Sequence, residues 1–356
     1  MTSVVVSETA YAGSIGPSET DVSHHVVFAN MAMEASSEPV SIRDMVKGWD
    51  GSVESGRYAW ADVRLQAGIA AVDQFGSRWM IGWQKRWHYD LTFSDGMVRY
   101  YDALENGTAL SGSETLKLKA RTLQAEGPMA SWRFSLMENR LMLTPTVSLY
   151  QVSKWQFGEL NGLASSGDTE SASAVLDYQF NEDKILEYQP DDSPGYGVSL
   201  DVNARWQLRP TTVLDLAVAD LWNLFRTESS GYTSACVNFN DPAETVCDSD
   251  VTASGKSGDK VFYGRLRPTI TASLSESEYQ ARLTLLSHGD YLRVGVEKDF
   301  QLNEHWRLTT AGYSSRQLGL GVASDWFSLA VKSDDLRAAS ARDASVNVSI
   351  NIPLGF

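Results

Sequence analysis

Apolar and polar residues alternate one for one along much of this chain. The last segment shows it best: Val346, Val348, Ile350, Ile352, Leu354 and Phe356 interleave with Asn347, Ser349, Asn351, Pro353 and Gly355. Successive side chains of a strand point to opposite faces, so such a segment has one apolar and one polar face. The same period recurs where Ala59, Ala61, Val63, Leu65, Ala67, Ile69 and Ala71 oppose Tyr58, Asp62, Arg64 and Gln66. It returns where Tyr196, Val198, Leu200, Val202, Ala204, Trp206 and Leu208 oppose Ser199, Asp201, Asn203, Arg205 and Gln207. These runs exceed the usual soluble strand of about 5–6 residues and match the roughly 9–11 of a membrane-spanning strand.

The pattern predicts strands over 58–72, 78–93, 114–125, 129–137, 140–157, 172–181, 184–189, 195–208, 212–226, 261–274, 278–287, 291–300, 305–315, 316–323, 326–333 and 345–356. That makes sixteen, or fourteen if one pair among 184–189, 316–323 and 326–333 is dropped. Short turn signals at Arg209-Pro210, Ser275-Glu276-Ser277 and Leu302-Asn303-Glu304 alternate with long polar stretches such as Glu228 to Lys260. The expected fold is therefore all-β, a transmembrane antiparallel up-and-down barrel with short turns at one mouth and long loops at the other.

Aromatic residues gather near the ends of these segments: Trp79, Trp83, Trp87 and Tyr89, Tyr150 and Trp155, Trp206 and Trp306. Interfacial girdles place them so. With the alternating strand that ends on Phe356, the chain resembles Gram-negative outer-membrane β-barrel proteins as a class; the resemblance is specific only over the last 11 residues or so. It implies a multi-pass location in the outer membrane, contact with its lipid and lipopolysaccharide, and assembly by the barrel assembly machinery. Phe356 would be the terminal residue that this machinery reads.

The sequence places the barrel at residues 58–356 and an N-terminal periplasmic or lumenal segment at 1–57. Within that segment Ser41 is a candidate N-cap, and Ile42, Met45, Val46 and Trp49 form one stripe of a short helix near 41–49. A disordered leader is the alternative. Met1 to Ala12 carries Glu8 and lacks a basic region followed by an apolar core, so the chain is read as a mature exported form. No run approaches the roughly 20 apolar residues of a spanning helix.

Composition narrows the picture in two places. The formal net charge of -15 argues against nucleic acid as a partner. The two cysteines, Cys236 and Cys247, fall in one polar stretch, which suits a local disulfide outside the barrel, with two free thiols as the other reading. No second pair stands at zinc-site spacing, so neither a metal nor a cofactor is expected.

On the strand parity above, Asp62, Arg64, Arg78, Arg86, Asp90, Lys117, Lys119, Arg121, Asp201, Arg205 and Asp215 point inward and line the lumen. A dry core would not take so many charges without pairing. Either the lumen is wet and selects ions, or salt bridges close it. Lys85 shares the apolar parity of Trp79, Ile81, Trp83 and Trp87. It snorkels at the rim, or a bulge resets the register. His88 with Asp90, and His288 with Asp290, are the residue types of a hydrolytic site. Nothing in the sequence sets a nucleophile beside them, and catalysis is not expected. The functional expectation is a porin-like channel or export pore for polar solutes or polymer. The alternatives are a structural barrel that anchors an envelope protein partner and, behind that, an outer-membrane hydrolase.

Overall fold

The computed structural model describes residues 24–49, 52–73, 75–165, 171–182, 194–240, 242, 245–248 and 252–354. It contains strands β1 (His24–Ser37), β2 (Tyr58–Asp73), β3 (Gly76–Phe93), β4 (Glu114–Trp132), β5 (Phe134–Leu136), β6 (Leu141–Ala164), β7 (Ala172–Phe180), β8 (Gly195–Gln207) and β9 (Thr212–Phe239). The second half adds β10 (Ala253–Gly264), β11 (Thr269–Glu276), β12 (Ala281–His288), β13 (Tyr291–Gln301), β14 (Arg307–Tyr313), β15 (Leu318–Ala323), β16 (Phe327–Ser333) and β17 (Asp343–Pro353). Two helices, α1 (Ile42–Lys47) and α2 (Asp95–Asn106), lie in the connections after β1 and β3.

Fourteen of the strands close an antiparallel barrel. The wall runs from β1 through β2, β3, β4, β6, β8, β9 and β11 to β17, and β17 returns to β1 from Val26↔Pro353 to Ser36↔Asp343. Closure leaves the barrel no free sheet edge. Three further strands are additions to this wall. β5 continues β4, β7 fills the space between the upper parts of β6 and β9, and β10 pairs the upper part of β9.

Among the described residues the barrel has fourteen strands, and the predicted set differs from it at the following places and at β1. The predicted pair 114–125 and 129–137 is in the main one strand, β4, because Pro128 sits in it without ending it. The predicted strand 261–274 is two strands, β10 and β11. The predicted strand 172–181 lies outside the barrel circuit, as β7. The predicted strand 184–189 falls outside the described residues. Conversely 316–323 and 326–333, the weakest patterns, are both barrel strands.

The N-terminal expectation needs the largest correction. β1 is a barrel strand that pairs along its length with both β17 and β2, so the wall begins well ahead of residue 58. Its alternation is hidden because Val26 and Phe28, on the inward face, are also apolar. They pack against Ala70, Val72 and Met129 near the short-turn mouth, where Phe28 lies over Gly82. A side chain at Gly82 would meet that ring and the backbone of Ala67.

The predicted helix forms with Ser41 as its N-cap, the Ser41 hydroxyl accepting from the Asp44 amide at 3.0 Å. It sits at the long-loop mouth between β1 and β2, not at the periplasmic end. The reason is the outward face of β2–β4. Ala59, Leu91, Phe93 and Leu118 continue the apolar alternation beyond the lipid, and Met45 and Trp49 of the α1 segment, with Met97 and Val98 of α2, cover them.

Below those helices the outer wall is an uncovered apolar belt. Ile69, Ile81, Trp83, Leu149, Leu283, Val296, Leu320 and Ile352 all stand exposed on it. A soluble monomer rarely exposes more than a few hundred Å² of contiguous apolar surface, whereas lipid covers such a belt. On β3 and β4 the belt ends at Lys85 and Glu126, which face each other in the ladder and pair at 3.2 Å, with Lys85 5.4 Å from the Trp87 ring centre. Lys85 thus keeps its outward parity, with no bulge. At one mouth the connections after β2, β5, β8, β11, β13 and β15 are short; at the other, those after β1, β3, β7, β9 and β16 are long and those after β12 and β14 are short. The closed wall and its apolar belt make this a multi-pass barrel of the outer-membrane kind.

Candidate functional site

The inward face is organised by a defect in β9. β8 and β9 pair in register up to Val202↔Val218 and resume at Leu200↔Trp222, so Ala219, Asp220 and Leu221 stand opposite the single residue Asp201. Asp220 takes a left-handed φ of 55°, and its amide donates to Asp201 Oδ1 at 2.7 Å in place of the broken ladder. Regular alternation would put Asp220 on the lipid face beside Val218 and Trp222; the bulge turns it into the lumen.

There it holds two arginines. Arg86 donates to Asp220 through both terminal nitrogens, at 2.9 and 2.7 Å, and its side chain is 0 % exposed. Arg64 reaches three carboxylates: Asp220 at 2.9 Å, Asp201 at 2.9 Å and Asp62 at 3.0 Å. These bonds are charge-assisted, and the pairing of Arg86 with Asp220 is bidentate, the stronger geometry. Four sequence-predicted lumenal residues, Asp62, Arg64, Arg86 and Asp201, therefore meet at one point around a fifth that alternation hides. Ser148, Ser199 and Gln84 fill the same buried layer.

The other predicted residues divide. Asp90 accepts from Arg121 at 3.3 Å, and Arg205 pairs with Asp215 at 3.7 Å, all within the lumen. Arg78 is exposed near the short-turn mouth, and Lys117 and Lys119 are exposed towards the long-loop end of β4, where Lys119 pairs with Glu159 at 3.4 Å. Lys117 and Lys119 keep their inward parity, while Arg78 falls in the bulge where Ala71 pairs Trp79 and Val72 pairs Ser77; all three lie near strand ends, where solvent reaches them. Cys236 and Cys247 form a disulfide with Cα atoms 5.6 Å apart, tying β9 to the loop that follows it. Phe356 lies outside the described residues.

Across the lumen the second half of the barrel has its own ion chain. Arg293 donates to Glu34 at 2.9 and 3.1 Å, while Arg282, Lys332 and the Tyr313 hydroxyl converge on Glu297 at 3.2, 3.4 and 2.6 Å. Between the two networks lies a cavity of about 270 Å³. It exists because β14–β17 present small residues inward, among them Ala311, Gly319, Gly321, Ala323, Ser328 and Ala330. The glycines of β15 thus make room inside the barrel.

No protein-family model matches this sequence, and no curated protein does. Among solved structures, a deltaS2S3 mutant of the monoaromatic hydrocarbon channel TodX is similar over 94 % of this chain and 91 % of its own, at 11 % identity and a TM-score of 0.44. The toluene transporter TodX of Pseudomonas putida is similar over 95 % and 90 %, at 10 % identity and 0.39. A Pseudomonas aeruginosa FadL homologue is similar over 92 % and 87 %, at 9 % identity and 0.28. Identity this low transfers neither residues nor a cargo to this chain.

Proposed function

We propose that the chain is an outer-membrane channel for small polar solutes, narrow and closed at rest by its internal ion networks. The observation that carries this reading is the cavity between the two networks, lined inward by Asn30, Glu34, Gln66, Arg282 and Ser349 as well as by small residues. Its inward hydroxyl, amide and charged groups offer hydrogen-bond partners to a hydrated solute, set among a lining that is mostly apolar. A polymer in transit would need a bore through the layer that Arg64, Arg86 and their carboxylates fill, so the export-pore reading loses support.

Reconstituted into liposomes, the protein should admit pentoses and exclude trisaccharides in osmotic swelling. It should give small, brief conductance steps in planar bilayers. Charge-neutral substitution of the pair, Arg86→Met with Asp220→Asn, should enlarge and lengthen those steps. Uptake that ignores solute size, or silence from both the native protein and the substituted one, would count against a channel and favour a barrel that anchors a partner.

A further inference from the structure

The most unusual chemistry in the barrel is not used by that reading. His88 and Asp90 of β3 meet His288 of β12 inside the lumen, and all three are buried, at 1 %, 5 % and 2 % exposure. One ligand atom from each lies within 4.8 Å of the others. β3 and β12 are six strands apart one way round the wall and eight the other, as the pairings β3–β4–β6–β8–β9–β11–β12 and β3–β2–β1–β17 through β13 to β12 show. The cluster therefore reaches across the barrel.

Three of its four ring nitrogens, His88 Nδ1, His88 Nε2 and His288 Nε2, are buried without a hydrogen-bond partner. Buried polar atoms seldom remain so, and an ion is one accepted explanation. The surrounding groups are those of a built metal site. His288 Nδ1 is bonded to the Thr269 hydroxyl at 2.9 Å, which fixes the ring and leaves Nε2 for an ion. Trp60 stacks on the same ring, with centroids 4.6 Å apart. His88 Nδ1 stands 3.9 Å from Asp62 Oδ1, beyond hydrogen-bond reach; with Nε2 on an ion, that carboxylate is the group Nδ1 would turn to. Arg121 and Arg267 approach Asp90, at 3.3 and 3.5 Å, through the same oxygen, Oδ2. Oδ1 is then the oxygen left to an ion.

We propose that His88, His288 and Asp90 bind a divalent transition metal, Zn²⁺ foremost, that staples opposite walls of the lumen. Two imidazoles and one carboxylate are borderline donors that suit Zn²⁺, Ni²⁺ or Cu²⁺ and not Ca²⁺ or Mg²⁺. Three protein ligands around one ion leave a fourth position for water. Bonds of about 2.0–2.2 Å put tetrahedral ligand atoms roughly 3.4 Å apart, so side chains now within 4.8 Å must close inward by about an ångström. The guanidinium groups of Arg121 and Arg267 oppose a further cation, so binding should be weaker than at a site without them. The site stands whether or not the barrel conducts.

The test uses the full barrel folded in detergent, stripped with chelator and dialysed against Zn²⁺, with loading during refolding as a second route past the buried entrance. One equivalent should bind. Co²⁺ in its place should give a visible d–d band. The pair His88→Gln and His288→Gln should lose the band and weaken Zn²⁺ at least tenfold while retaining heat-modifiable migration. His305→Asn, which removes the exposed His305–Asp325 pair, should change neither. Absence of a bound equivalent by both routes overturns the proposal. So does binding that survives the His88/His288 substitutions or is lost with His305. If the Gln pair fails to fold, Asp90→Asn alone must weaken Zn²⁺ and shift the Co²⁺ band, and an unchanged band would overturn the proposal equally.

Discussion

Substituting Arg86 by Met tests whether the centre of the lumen is dry. The native cluster holds three carboxylates, Asp62, Asp201 and Asp220, against two guanidinium groups, Arg64 and Arg86, a net charge of -1. Arg86→Met leaves three carboxylates on Arg64 alone. Removing one partner of a buried pair costs about 3–5 kcal/mol, because the other charge stays buried. Asp220→Asn strips Arg86 of its bidentate partner and leaves it Asp62 at 3.8 Å, so the expected loss is similar. The double substitution keeps Arg64 bonded to Asp201 and Asp62 at 2.9 and 3.0 Å and restores the native net charge of -1. It should therefore cost less than the sum of the single losses by at least about 2 kcal/mol, within the range measured for groups that share one network. Urea unfolding in phospholipid vesicles, followed by the fluorescence of the 11 tryptophans, measures all four states of the cycle. Losses that add to within about 0.5 kcal/mol would show that water solvates each charge separately and would refute the dry network.

Asn223 gives a second test. Its side chain accepts from the Leu266 amide at 2.7 Å and donates to the Leu266 carbonyl at 3.1 Å, standing in for ladder bonds where β10 gives way to β11. Asn223→Ala should cost about 1–3 kcal/mol and speed hydrogen exchange at the Leu266 amide. Replacing Cys236 and Cys247 by Ser should leave barrel unfolding nearly unchanged, since the bond ties a loop to the upper end of β9. On whole cells an impermeant thiol reagent should label the native pair only after reduction. Deletion of Phe356 should lower the amount assembled in outer-membrane fractions without lowering synthesis, and undiminished assembly would show that this residue is not read.

The legible part of the fold was the part with lipid on one side and water or polar groups on the other. β2, β3, β8 and β17 show period two because one face meets hydrocarbon, and the inward placement of Asp62, Arg64, Arg86 and Asp201 follows from parity alone. β1 was hidden because Val26 and Phe28 make both faces of its first half apolar. Asp220 was hidden because one bulge turns it inward while leaving Val218 and Trp222 on the outer face. A signal was available there: a carboxylate on the lipid parity of a spanning strand is costly enough to imply a register break. Lys85 carries the same signal and resolves differently, by pairing outward with Glu126. The meeting of His88 with His288 could not be read at all, since it depends on how many strands close the circle.

The additions to the wall on one flank have a consequence for how the cell surface is seen from outside. β9 has 28 residues. At about 3.3 Å per residue and a tilt near 45°, such a strand rises more than about 60 Å, over twice the roughly 25 Å apolar band of an outer-membrane barrel. With β6, β7 and β10 it forms a one-sided parapet above the lipid, while β12 and β13 turn back at Gly289 and Asp290. An antibody, phage or protease arriving at an intact cell would meet that parapet first. Its outermost strand, β10, offers Ser254, Gly255, Lys256, Ser257, Gly258, Asp259 and Lys260, nearly all exposed. Substitutions there touch neither the lipid belt nor the ion networks, so they should leave the barrel and its lumen as they are.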